Sequence, residues 1–318
     1  MSYIVLLVGF ALLIIGANYF VEGSSKIAAL LRVPPILIGL TIVAFGTSSP
    51  EATVSIIAAL NNNAGVALGN VVGSNVFNTT FVIGLTAIIM AIQVQSETIK
   101  KEIPFTLLAS IALLVLISDV SLQNSDVNFI TRGDGFILLL IFSIFMYYIL
   151  EVARNSREKA ADQYEPTSKE PWGKNIFFGL AGLAAIIFGG HLVVQNSTNI
   201  ALQWGMTETL VGLTIVAVGT SLPELVTSVA AALKKENEIA LGNIVGSNIF
   251  NILFILGVSS VISPLSVDGN IVIDVFIVLA LTVLLLIVSR THHKIGRIEG
   301  FLLAILYVGY MIFIIMRG

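Results

Sequence analysis

Long apolar runs recur from end to end of the chain, each near the roughly 20 residues a helix needs to cross a hydrocarbon core. Ten are bounded by polar or charged clusters: 3–21, 36–60, 66–93, 104–122, 134–152, 175–195, 209–233, 239–263, 270–289 and 298–316. The runs are continuous and lack the strict alternation of membrane β-strands. Most connections between them are short. The exception is 154–174, "RNSREKAADQYEPTSKEPWGK", which is charged, contains proline and reads as a linker. It divides the chain into 1–153 and 175–318.

Self-comparison sharpens this division. "GLTIVAFGTSSPE" at 39–51 matches "GLTIVAVGTSLPE" at 212–224 in 11 of 13 positions. "ALGNVVGSNVFN" at 67–78 matches "ALGNIVGSNIFN" at 240–251 in 10 of 12. Both pairs are offset by 173 residues, which also aligns Gly16 with Gly189 and Ser24 with Ser197. "RGDGF" at 132–136 resembles "RIEGF" at 297–301. Each half holds five runs, an odd number, so the second enters the membrane from the opposite side. The expected fold is an all-α integral membrane protein of ten transmembrane helices in two inverted five-helix repeats, a plan typical of secondary transporters.

Composition agrees: 56% of the 318 residues are hydrophobic and 11% charged, with a mean hydropathy of +0.98. With no cysteine, disulfides, thiolate metal sites and thiol nucleophiles are excluded. No basic residue precedes the first run, so it is expected to be retained rather than cleaved as a signal. Of 16 lysines and arginines, all but Arg132 and Arg317 fall on one side of the ten-span layout. That asymmetry puts both termini outside and the 154–174 linker in the cytoplasm of a cell-membrane protein.

Of the 19 acidic residues only Glu51 and Glu224 fall deep within runs, and they are repeat equivalents. An acid at a helix centre costs about 3 kcal/mol on insertion scales. No lysine or arginine lies deep enough to neutralise them, so the natural partner is an external cation or a proton. Ala44, Thr47, Ser48, Glu51 and Ser55 share one helix face by their spacing, as do Ala217, Thr220, Ser221, Glu224 and Ser228. Pro50 and Pro223 should break the helix and free carbonyls near Ala44, Thr47, Ala217 and Thr220. Carboxylate, hydroxyl and carbonyl oxygens suit hard cations such as calcium or sodium.

In the second motif Ser74 and Asn78 share a face, as do Ser247 and Asn251. Gly69 with Gly73 and Gly242 with Gly246 give a spacing for close helix approach. Asn70 and Asn243 are candidate caps of broken helices. His191, aligned with Asn18, reads as a structural hydrogen bonder, and His292 and His293 as loop residues without function. Asp134 and Glu299 sit where acids favour a helix N-terminus.

At these residues the chain resembles the calcium/cation antiporter superfamily, especially its sodium/calcium exchanger branch. The GTS-x-PE and GN-xx-GSN-xx-N pairs look like that family's two α-repeats. The resemblance implies a central calcium site from Thr47, Glu51, Thr220 and Glu224. It implies sodium sites using Ala44, Ser48 and Ser74 on one side and Ala217, Ser221 and Ser247 on the other, sharing the glutamates. Asn78 and Asn251 would sit beside the centre. Some relatives, including potassium-dependent exchangers, carry an aspartate where this chain has Asn251, which argues against potassium cotransport. The large cytoplasmic calcium-sensing loop of animal exchangers is missing.

The expected function is sodium-for-calcium antiport by alternating access, with calcium and sodium ions as cargo, the bilayer as setting, no cofactor, no nucleic acid and no obligate protein partner. The alternatives are a calcium/proton antiporter and, further off, a cation channel. An enzyme is more distant still, since no nucleophile–base pair or cofactor motif stands out.

Overall fold

The computed structural model describes residues 2–161, 172–204 and 217–317. Helix α1 (Ser2–Leu31) leads into α2 (Pro35–Thr47) and α3 (Ser49–Leu60), which meet at a 51° bend. Then come α4 (Ala64–Ile89), the short α5 (Ser96–Lys100), α6 (Glu102–Leu116), the short α7 (Asp119–Gln123) and α8 (Arg132–Ala161). The remainder comprises α9 (Trp172–Gln203), α10 (Ala217–Thr220), α11 (Leu222–Leu233), α12 (Asn237–Ile262), α13 (Gly269–His292) and α14 (Arg297–Arg317).

Among the described residues seven helices are long and apolar enough to cross a membrane, or eight when α2 and α3 count as one bent span. Large apolar side chains cover their outside: Leu140 is 64% exposed, Tyr147 69% and Phe301 59%. Such a surface is stable only against lipid. The chain is thus a multi-pass membrane protein.

Several elements depart from the sequence reading. The run 104–122 is helical as α6 only over 15 residues, about 22 Å of rise, short of a full hydrocarbon core. The run 209–233 begins outside the described residues, and its described part is broken at Ser221. The 154–174 linker is partly helix, because 154–161 continue α8 and α9 already starts at Trp172. Two small antiparallel ribbons were not foreseen. β1 (Ile92–Gln93) pairs with β4 (Lys294–Ile295), and β2 (Asn128–Ile130) pairs with β3 (Leu265–Val267). Each ribbon joins a strand before the linker to one after it. His293 turns the chain into β4 with φ 52°, a left-handed cap to α13.

The centre is α4 and α12, whose apolar windows are 72% and 83% buried against 17–33% in the other long helices. Glycines let backbones meet there. A Cβ on Gly242 would lie 2.7 Å from the Ile36 carbonyl and one on Gly246 2.6 Å from that of Leu40, so α12 lies directly on α2. For Gly69 and Gly73 nothing described lies within 4 Å; their repeat-equivalent partners, from 212, fall outside the described residues.

The outer crossings use the same device. A Cβ on Gly84 would meet the Gly300 carbonyl at 2.6 Å, and one on Gly135 the Gly257 carbonyl at 2.8 Å. The likeness of "RGDGF" to "RIEGF" therefore has a packing reason. Helices α1 and α9 share a further seam, with Gly9 against Gly189 and Gly16 against Gly182.

Replacing Gly84 with Val should destabilise the protein by about 1–3 kcal/mol, because backbone rather than a flexible side chain must move. Gly309→Ala, where nothing lies within 4 Å, should leave the thermal midpoint in detergent unchanged. Equal midpoints for the two variants would count against the crossing.

Candidate functional site

The site is built where α2 gives way to α3. The break expected from Pro50 falls at Ser48, whose φ −82° and ψ 9° leave the helix. Pro50 then lies in the first turn of α3, where a missing N–H costs no hydrogen bond. Glu51 occupies the same turn, at the positive end of the helix dipole, where a carboxylate is favoured. The second copy repeats this at Ser221 (φ −92°, ψ 8°), with Pro223 and Glu224 opening α11.

The two breaks face each other, and the hydrogen bonds cross between halves. Ser48 donates to Glu224 Oε1 at 2.7 Å, and Ser48 Oγ lies 2.9 Å from Ser247 Oγ. Ser221 donates to Glu51 Oε1 at 2.8 Å, and Ser221 Oγ lies 2.9 Å from Ser74 Oγ. Each serine thus holds the carboxylate of the other copy. Each contact has a counterpart 173 residues further along the chain.

A second tier supports the first. Asn70 donates its amide to the Glu51 carbonyl (3.2 Å) and Ser55 Oγ (2.9 Å). Asn243 does the same to the Glu224 carbonyl (3.3 Å) and Ser228 Oγ (2.9 Å). Their amide oxygens accept from the threonines of the opposite copy, Thr47 to Asn243 at 2.9 Å and Thr220 to Asn70 at 3.4 Å. The expectation that these asparagines cap helices is therefore corrected. They sit inside α4 and α12, and α4 is capped by Asn63, which accepts from the Val66 N–H.

Asn75 and Asn248 carry a third set of links that the sequence reading did not single out. The Asn75 amide donates to the Asn248 carbonyl (3.3 Å), that of Asn248 to Thr79 Oγ1 (2.8 Å) and that of Asn251 to Asn75 Oδ1 (3.0 Å). The available signal was their invariance between the two motif copies. Asn78 and Asn251 also begin or lie within π-helical turns, Asn78–Val82 and Phe250–Ile255. Such bulges re-aim side chains and are common at functional sites.

Glu51, Glu224, Ser48, Ser221, Asn78 and Asn251 are 0% exposed. Among the described residues, Glu51 Oε2, Glu224 Oε2, both amide atoms of Asn78 and Asn251 Oδ1 have no hydrogen-bond partner. The ion pairs among the described residues involve Lys26, Arg154, Lys234 and Arg317, and none reaches Glu51 or Glu224. Buried oxygens without donors are costly, the more so when ionised. An oxygen-lined site with spare carboxylate oxygens is suited to a hard cation or a proton.

Not every expected feature appears. The Ala44 carbonyl is not bare: it accepts the Ser48 N–H at 2.9 Å, with Thr47 Oγ1 at 3.2 Å and Ser247 Oγ at 3.5 Å. In the second copy the Ser221 N–H turns instead to the Val218 carbonyl at 3.2 Å. Ala217 is placed as helical backbone only. His191 is exposed on α9 and does not line the site. Two further acids are buried near helix starts, where other partners hold them. Glu102 accepts from Tyr148 through one oxygen, its other oxygen having no partner among the described residues, and Asp274 is bound through both oxygens by Arg317.

Paired buried carboxylates in a multi-pass helical protein, with no basic partner among the described residues, define a membrane protein that handles cations. The chain itself belongs to the sodium/calcium exchanger family: the model of the sodium/calcium exchanger protein matches residues 1–151 and 174–316. It is 39% identical over 316 residues to the putative antiporter CaxA of Alkalimonas amylolytica, covering 96% of each chain. It is 31% identical to the sodium/calcium exchanger MaX1 of Methanosarcina acetivorans, over 98% of this chain and 97% of that one. Its structure resembles that of the sodium-calcium exchanger NCX_Mj with a TM-score of 0.83 at 31% identity, covering 96% of both chains.

Asn243→Leu should strand the Glu224 carbonyl, Ser228 and Thr47 together, at a cost of about 1–3 kcal/mol. Asn243→Asp, which keeps the acceptor facing Thr47 but sets a second oxygen against the Glu224 carbonyl in place of the donor, should lose more. Thermal unfolding in detergent ranks the two, and the reverse order would remove Asn243 from its bracing role.

Proposed function

We propose that the protein exchanges sodium for calcium by alternating access. The single observation that carries this reading is the pair of buried carboxylates, Glu51 and Glu224, each with one oxygen held by the opposite copy's serine and one oxygen spare. Calcium would take Thr47, Glu51, Thr220 and Glu224. Sodium would take Ala44, Ser48 and Ser74 with Glu51, and Ala217, Ser221 and Ser247 with Glu224. Asn78 and Asn251, with their unpartnered amide atoms, would contact the ions or their water at the centre.

Two carboxylates give the site a charge of about −2 when ionised. One calcium balances it, and so do sodium ions taken several at a time. An empty site would have to occlude two unpaired charges, at several kcal/mol per ion. The unloaded carrier therefore switches rarely, which enforces exchange. The proposed architecture is ten helices in two inverted five-helix repeats, 1–153 and 175–318, joined by the 154–174 linker. The distribution of Lys and Arg supports a cytoplasmic linker and external termini. Helices α1 and α9, joined by their glycine seam, would move together against the core.

A second reading, calcium/proton antiport, is favoured by one observation. Among the described residues no basic side chain reaches either glutamate, and a proton also neutralises a buried carboxylate.

Calcium uptake into sodium-loaded liposomes separates the readings. Uptake should collapse when the outward sodium gradient is removed. Uptake driven instead by a pH gradient without sodium would establish the second. Glu51→Gln and Glu224→Gln should each abolish calcium transport with the protein still folded, and near-normal flux in either would overturn the site. Asn251→Asp should change the cation or pH dependence of exchange, and an unchanged profile would place Asn251 away from the ions.

A further inference from the structure

Beside the ion path lies an apolar groove that exchange does not use. It is formed between the end of α1, the first turns of α2 and the last turns of α8, and encloses about 430 Å³, within the roughly 300–1,000 Å³ of small-molecule sites. Leu37, Ile42, Met146 and Leu150 form its walls. In a membrane-spanning chain such a groove meets acyl chains rather than water.

Its mouth is not apolar. Arg154 and Arg157 close one end, with Glu158 beside them. Arg157 is anchored, since its Nε donates to the Leu31 carbonyl at 2.9 Å. Arg154 Nε donates to Glu158 Oε1 at 3.0 Å, but both side chains are exposed, 79% and 63%. A surface i,i+4 pair of this kind holds weakly and yields readily to a stronger anion. A guanidinium has five N–H donors, so each arginine keeps several for a phosphate oxygen.

A second groove supplies the internal comparison. It is of similar volume, about 420 Å³, on the opposite end of α8, and is walled by Phe136, Ile137, Leu139, Leu140 and Ser143 with no charged residue. What singles out the first groove is the pair of arginines just beyond the apolar run 134–152, where headgroups are expected to begin. Basic clusters there attract anionic lipids at about 1 kcal/mol per charge near the surface. The chain's own 162–171, "DQYEPTSKEP", is too polar to be the natural filling of an apolar groove.

We propose that this groove is a binding site for one anionic phospholipid, an acyl chain lying between α2 and α8 and the phosphate held by Arg154 and Arg157. The lipid would lie against α2, the helix that ends at Thr47 just before the break at Ser48. The leaflet, cytoplasmic, rests on the orientation proposed above, whereas binding itself does not.

Native mass spectrometry of the full chain in detergent tests this, with phosphatidylglycerol or phosphatidylcholine added singly. The wild type should retain one phosphatidylglycerol in preference to phosphatidylcholine by about ten-fold. The double variant Arg154→Gln/Arg157→Gln should lose that preference. Ala153→Trp, which fills the groove, should lose tight retention of phosphatidylglycerol with both arginines in place. Matched thermal midpoints establish that the variants fold. Equal retention of both lipids by the wild type, an undiminished preference in the double variant or full retention by Ala153→Trp would each overturn the proposal. None depends on ion coupling, so its failure is distinct from failure of the exchange reading.

Discussion

Everything at the centre of this molecule depends on each half holding the other's carboxylate. Ser48 binds Glu224 and Ser221 binds Glu51, so neither acid is positioned by its own half alone. The arrangement uses half of each carboxylate and leaves the other oxygen without a donor among the described residues. A chain selected only for stability would have closed those valences or removed the acids, because unpaired buried charge is among the costliest features a fold can hold. The spare oxygens are where structural satisfaction stops.

That arrangement demands unusually close helices. The hydroxyls of Ser48 and Ser247 meet only because α12 lies on α2 at Gly242 and Gly246. The broken helices demand support of another kind, since a break inside lipid frees backbone groups that water cannot reach. Asn70 and Asn243 brace the helix after each break, donating to the carbonyl of Glu51 or Glu224 and to the hydroxyl one turn further on. Close crossing, broken helix and bracing asparagine are three consequences of one requirement, a rigid oxygen cage without a basic residue.

The same economy of side chains explains the outside. The outer helices meet one another and the core through glycines and small residues and show large apolar side chains to lipid. In that setting a pair of arginines at the end of an apolar groove stands out.

The membrane class, the internal repeat and the two key acids were legible in the sequence by itself, because each rests on a local or periodic property. Apolar length reports a hydrocarbon core, a fixed offset of 173 reports duplication, and an uncompensated acid within an apolar run marks a candidate site. Proline likewise announced a helix break, placed by the fold two residues earlier at Ser48. What only tertiary structure decided is who touches whom. Spacing put Ser48 and Glu51 on one face, but it did not show that Ser48 serves Glu224. The bracing roles of Asn70, Asn243, Asn75 and Asn248, the π-helical turns and the ribbons between β1 and β4 and between β2 and β3 were hidden for the same reason. They arise from contacts between segments far apart in the chain, and no local pattern encodes the partner at the other end.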